Sequence, residues 1–273
     1  MQNFPASPVE MIAGFWRNRS LIGALVKRDI LGRYRGSTLG LFWSFFNPVL
    51  MLAVYTFVFS VVFNARWGTG GGGSKTEYAL VLFAGLIVFN VFSECVARAP
   101  ELVLSNVNYV KKVVFPLEVL SWVSLGSALF HGLVSLSVWL VFYCFFFGAP
   151  HLTVLYFPVV ILPLLIFSMG LSWALASLGV FLRDISQVIG VILTMLMFLS
   201  GIFYSVSSLP EDYQVIMQMN PLVTIIDQSR AVLIWGQQPN FLLLLGYLAG
   251  ASAVAWIGFA WFQKTRKGFA DVL

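Results

Sequence analysis

Charge is scarce in this chain of 273 residues: Asp, Glu, Lys and Arg make up 10% of it, against about 25% in an ordinary soluble domain. A soluble fold would have to hide several uninterrupted apolar runs drawn from a chain that is 59% hydrophobic and 16% aromatic, and that shortage of charge excludes it. Cysteine and histidine are equally sparse, with two of each. Cys95 and Cys144 both fall inside apolar runs and read as small buried hydrophobes, which leaves no disulfide framework and no thiolate pair. His131 lies within an apolar run and His151 beside a short turn. Neither has a second His or Cys at ligand spacing, so no metal site is expected. His131 reads as a hydrogen-bonded packing residue. Glu94, Glu118 and Asp184 sit near the ends of apolar runs and form no paired acid–base set, so no catalytic constellation is apparent. The start, MQNFPASPVEM, lacks a cationic segment followed by an apolar one, and no cleavable signal peptide is expected. The net charge of +5 comes from cations at the ends of apolar runs rather than in a patch, which argues against nucleic acid as a partner.

What the chain has instead is hydrophobic length. Between Lys27 and Arg35 stand four cations (Lys27, Arg28, Arg33, Arg35) against one acid, and from Leu39 to Phe63 there is no charge over 25 residues. About 20 helical residues cross a hydrocarbon core of about 30 Å, and a cationic run abutting such a span stays on the cytoplasmic side. Before it, Phe15 to Leu31 carries Leu21, Ile22, Leu25 and Val26 at helical spacing among Arg17, Arg19, Lys27 and Arg28. That pattern suits an amphipathic helix in the headgroup region.

Further spans follow by the same criterion: Tyr78 to Phe92, with Glu94 marking its end; Val119 to Phe147; Leu152 to Leu182, with Pro158 and Pro163 as kink sites; Ile185 to Tyr204; and Phe241 to Phe262. Six crossings put both termini on one side. Of the 16 basic residues, that topology leaves only Arg66, Lys75 and Arg230 outside, so both termini are expected to be cytoplasmic. The organisation expected is a single membrane domain over 1–273, with a cytoplasmic or interfacial segment 1–38, a six-helix membrane region 39–262 and a cytoplasmic tail 263–273.

Two segments are neither spans nor simple loops. Ala99 to Phe115 opens with a Pro-Glu pair suited to a helix start and is too polar to cross yet too apolar for a free linker. Gly201 to Gly236 breaks into short apolar pieces at Pro210, Asn220-Pro221 and Gly236. Irregular backbone at membrane depth must be buried in protein or face a watery cavity, so a re-entrant gate is expected there. The run GTGGGG at 68–73 mimics a phosphate-binding loop, but Ser74 stands where such a loop needs Gly directly before its Lys. It reads as a flexible linker.

In order along the chain, LVKRDILGRYRGSTLGLFWSFFNPVLMLAVYTFVFSVVF, YVKKVVFPLEVL, FLRDI, GIFYSVSSLP and MNPLVTIIDQSRAVLIWG resemble the membrane subunit of ABC-2 type exporters, in particular the permeases for O-antigen, capsular polysaccharide or teichoic acid. The Gly-rich loop is not part of that pattern. The resemblance implies an all-α integral membrane protein with an N-terminal interfacial helix, six transmembrane helices, a cytoplasmic docking helix and outer re-entrant gate helices. It implies a homodimer in the bacterial inner membrane, bound to two ATP-binding cassette subunits, with ATP and Mg held by those partners and no cofactor in this chain. The docking contact falls on Glu101, Leu104, Asn106, Asn108, Tyr109 and Lys111, and the outer gate on Pro210, Asn220, Pro221, Asp227 and Arg230. For a glycan carried on a polyprenyl pyrophosphate, Trp43, Phe46, Tyr55, Phe198, Phe203 and Tyr204 are candidate guides, because aromatic rings meet the C–H faces of sugars. Arg33 and Arg35 are candidates to meet the pyrophosphate. The alternatives are a permease for a drug, haem or another small amphiphile, and, from another class, an intramembrane glycosyl or acyl transferase depending on Glu94, His131 or Asp184.

Overall fold

The computed structural model describes residues 5–62, 67, 75–111 and 115–273, with the backbone alone at 59–61 and 75. The Gly-rich run 68–73, Arg66 and Lys112 lie outside the described residues. Among those described there are helices and turns and no strands, as expected of a chain whose backbone groups must be satisfied without water. The helices are α1 (Pro8–Arg17), α2 (Arg19–Arg33), α3 (Phe42–Tyr55), α4 (Lys75–Arg98), α5 (Val107–Lys111), α6 (Val119–Phe147), α7 (Phe157–Phe181), α8 (Ile185–Phe198), α9 (Glu211–Gln218), α10 (Pro221–Leu233), α11 (Phe241–Thr265) and α12 (Phe269–Val272).

Four helical stretches are long and apolar enough to cross a bilayer: Thr76–Glu101, Val119–Phe147, Leu152–Phe181 and Phe241–Val272. The first and fifth expected crossings are shorter apolar helices, Phe42–Val58 and Ile185–Phe198. The α3 helix contains Pro48 and passes at Thr56 into a π-helical turn that runs to Val62. The α8 helix stops at Phe198 instead of reaching Tyr204, because the chain turns through Gly201 at φ +63°, a left-handed conformation that favours glycine. Its 14 residues rise about 21 Å.

At the N-terminus the expected single amphipathic helix is two, broken at Asn18. Ser7 caps α1 through Glu10 N–H, and α1 exposes Val9, Ile12 and Trp16 on one side. The α2 helix lies on α6, where Gly126 leaves room for Val26: a Cβ there would stand 2.6 Å from its Cγ2.

The α4 helix is the centre of the molecule. From Tyr78 to Val96 nearly every apolar side chain is buried, and it packs on α6, α7, α8, α10 and the π turn. That explains why its apolar residues are spread around most of the helix rather than along one stripe. The most extensive pairing is α7 on α11, where Gly170 and Gly258 stand face to face and a Cβ on Gly170 would be 2.7 Å from the Ala255 Cα.

Loops sort to two ends. At the end holding the termini, Arg98 meets Asp29, and Arg266 reaches Glu118 and the Phe115 carbonyl. At the other, Tyr78 O–H donates to the Phe203 carbonyl (2.6 Å) and Thr153 to the Val232 carbonyl (2.7 Å). Within the segment 263–273, Phe269 is fully buried against Phe181 and Phe262, and Arg266 pairs with Glu118 at 2.7 Å.

Candidate functional site: a polar cavity beside the central helix

Between α3, α4 and α6 lies a cavity of about 460 Å³ that the end of α2 also lines. Its wall is polar for a membrane interior: Asn47 and Tyr55 come from α3, Asn90, Ser93 and Glu94 from α4, His131 and Ser135 from α6, with Arg33 and Tyr34 from the end of α2. Asn90 and Glu94 are four residues apart and His131 and Ser135 likewise, so each helix presents one row of polar side chains. Gly132 lets α6 approach α4, since a Cβ there would be 2.5 Å from Val91 Cγ2.

Glu94 is the hub. It does not end α4, as its sequence position implies, but lies a turn inside the helix. It accepts from Arg33 Nη2 at 2.5 Å, and His131 Nδ1 lies 3.0 Å from both its oxygens. Beside a carboxylate that contact puts a proton on Nδ1, and Nε2 lies 3.3 Å from the Tyr34 hydroxyl. The 3.4 Å approach of Arg33 Nη1 to Nδ1 is then a meeting of two donors. A carboxylate in a low-dielectric wall is expensive unless paired, and the arginine supplies the compensating charge.

One turn towards the termini stands a second polar knot. Asp29 accepts from Arg98 Nη1 (2.9 Å) and Nη2 (2.7 Å) and from Ser127 (2.7 Å). Burial works to raise the Asp29 carboxyl, but the hydrogen bonds from Arg98 and Ser127 and the charges of Arg98 and Arg33 hold it below its ordinary value. Its neighbour Arg28 donates to the Tyr109 hydroxyl at 2.9 Å. The α2 helix is thus tied by successive polar contacts to α4, α6 and the segment after α4.

That segment continues α4 as a 3-10 turn, Ala99–Glu101, with Ala99 and Pro100 buried. The Pro100 carbonyl occupies the space a side chain on Gly179 of α7 would need. A second 3-10 turn, Leu104–Asn106, leads into α5. Of the expected docking residues, Glu101, Asn108 and Lys111 are exposed and Leu104 is half-buried. Asn106 donates to the Leu102 carbonyl, and Tyr109 stacks on Phe115 at 4.4 Å, so these two hold the segment's own shape.

Arg33 and Arg35 stand in different surroundings. Arg33 is engaged by Glu94, while Arg35 lines an exposed groove with Lys27 and Arg28. The six aromatic candidates fall into separate groups. Trp43 and Phe46 meet edge to face at the start of α3 (5.7 Å), Tyr55 lines the cavity, and Phe198, Phe203 and Tyr204 cluster where α8 ends. Of the expected gate residues, Pro210 precedes α9, and Asn220 caps α10 through Leu222 N–H with Pro221 in the first turn. Asp227 stands 3.4 Å from Arg230, which is wholly buried.

Reading the sequence alone misses the Arg33–Glu94–His131 cluster, whose members are 37 to 98 positions apart. The available signal was an acid and a histidine inside or beside apolar spans, each of which needs a partner at that depth.

The ABC-2 type transporter family model matches residues 20–234. The chain is 27% identical to the O-antigen export system permease protein RfbA of Myxococcus xanthus over 96% of its own length and 99% of the relative's. It is 25% identical to the protein of the same name in Klebsiella pneumoniae, over 93% of this chain and 95% of the relative. To the polysialic acid transport protein KpsM of Escherichia coli it is 24% identical, over 93% of this chain and 96% of the relative. A family match over most of the chain and a polar cavity set in an apolar helical body lead to one conclusion: this chain belongs to the ABC-2 type transporter family, as a transport subunit.

Proposed function

We propose that this chain is the membrane-spanning half of an ATP-driven exporter that moves a lipid-linked polysaccharide across the bacterial inner membrane. The observation that carries this reading is the end-to-end similarity to O-antigen and polysialic acid permeases. In it, two copies pair around a channel, α3 and α8 complete six crossings, and both termini are cytoplasmic. Two ATP-binding subunits, which hold the ATP and Mg, seat on the exposed side of the segment 99–111, at Glu101, Asn108 and Lys111. Their closure pushes on a segment continuous with α4 and tied through Tyr109 to α2, and the movement admits the glycan. The polar rows of α4 and α6 offer hydroxyl, amide and carboxylate partners to sugar hydroxyls, with Tyr55 as an aromatic face. A pyrophosphate headgroup would meet Arg35 first, because Arg33 must leave Glu94 to bind it. The segment 201–236 opens on the outer side as the gate.

The test is export of a defined polyprenyl-pyrophosphate-linked glycan in vesicles holding this chain and its ATPase. ATP-dependent appearance of the glycan on the far side is expected. ATP-independent transport, or export of a small amphiphile with no glycan, would refute the reading. Cysteines at Asn108 and Lys111 should crosslink to the ATPase, and a complex that assembles without either crosslink would place the contact elsewhere.

A further inference from the structure

We infer that Arg230 is the joint through which the α4–α7 pair carries movement of the docking segment to the outer gate. The inference rests on the reading above of those two segments and adds how they are connected. Both ends of the connection belong to the same two helices. At the inner end, the 3-10 turn after α4 is buried against α7, with Pro100 fitted into the space left by Gly179. At the outer end, α10 packs on both α4 and α7, and Thr153, in the turn before α7, donates to the Val232 carbonyl of α10 at 2.7 Å. From Val81 to Arg98, α4 is one uninterrupted helix, and its 17-residue step spans about 25 Å. A rod of that kind transmits displacement rather than absorbing it.

Arg230 is what fixes α10 and the turn after α8 to that rod. It is wholly buried, yet its acidic partner among the described residues, Asp227, is half-exposed and 3.4 Å away. Three further donors go to main-chain carbonyls on two other segments: Nε to Val81 of α4 (3.1 Å), Nη1 to Gly201 (2.9 Å) and Nη2 to Ile202 (2.8 Å). Trp67 covers the guanidinium at 4.3 Å. Room for it exists because position 85 is glycine; a Cβ there would lie 2.7 Å from Nη2. A buried charge spent on carbonyls is a poor way to gain stability compared with an apolar side chain of similar volume. It is a good way to hold three separate segments in one geometry, because the planar fork offers five donors in fixed directions and lysine does not. Arg230 is thus a positioning residue: it touches no transported molecule but decides whether the gate follows α4.

The experiment places spin labels at Ile216→Cys on the exposed side of α9 and Phe146→Cys near the end of α6, with Cys144→Ser and the buried Cys95 retained. Labelled chain is diluted with unlabelled chain and reconstituted with its ATPase, and the label distance is measured with and without ATP and vanadate. The parent is expected to show a nucleotide-dependent change. R230Q is expected to lose most of it while ATP hydrolysis stays within about two-fold, and R230K, which keeps the charge but not the fork, to lose at least half. A full-sized change in R230Q or R230K overturns the joint and leaves the gate reading standing. No change in the parent overturns the gate reading itself. Should R230Q fail to assemble, R230K decides the matter alone.

Discussion

Replacing Asp29 with Asn should cost stability out of proportion to one atom. The carboxylate accepts three hydrogen bonds, two from Arg98 and one from Ser127, and both members of the ion pair are about a third exposed. Hydrogen bonds to charged groups contribute roughly 1.5–3 kcal/mol each when fully desolvated, and exposed pairs far less. An Asn keeps one acceptor oxygen and loses the charge. The net loss is therefore about 1–2 kcal/mol, or a melting temperature lower by roughly 2–8 °C for a chain of this length. The buried Cys95 provides the assay: in a Cys144→Ser background, a thiol-reactive dye reports unfolding in detergent. Because the folded carboxyl titrates below its ordinary value, its contribution is fully present above the unfolded value of about 3.9 and is lost as pH falls through the lower folded one. D29N should thus differ from the parent at pH 7 and converge on it in acid. R98Q and the double substitution close a cycle in which the two effects should not add. Additive losses, or a D29N chain that melts with the parent at pH 7, would refute the pairing.

Phe269→Ala should destabilise the chain by about 3–5 kcal/mol, because the ring is fully buried between Phe181 and Phe262; the same thermal assay would show it, and a change under about 1 °C would mean that the end of the chain does not pack. Gly258→Leu should abolish accumulation of folded protein, since the Gly170 carbonyl fills the space a Cβ would take; wild-type yield and melting on size-exclusion would contradict the helix contact.

Much of the fold was legible because apolar length is a local property. The third span is read as Val119 to Phe147, and α6 has those bounds. Boundaries set by a backbone turn were less legible: α8 stops at Phe198 because Gly201 adopts a left-handed conformation, and nothing in the hydropathy of 199–204 announces it. The N-terminal segment reads as one helix because its apolar spacing barely falters at Asn18, where the side chain bonds the Gly14 carbonyl and the chain starts again.

The candidate site was legible only as separate residues. Tyr55 and Arg33 were singled out, and both line the cavity, but Glu94 read as the end of a helix and His131 as a packing residue. Hydropathy does not distinguish α4, whose apolar side chains are nearly all buried, from α11, whose Leu242, Leu245 and Ile257 remain exposed.

The sequence alone determined what depends on composition and order: a membrane protein, its apolar runs, the cations grouped beside them and the family. The tertiary structure decided which charges meet. Arg33, Glu94 and His131 come from three helices, and the main-chain acceptors of Arg230 from segments 28 to 149 positions away. In a low-dielectric interior such groups are held by partners rather than by water, and partners so distant in sequence are chosen by helix packing alone.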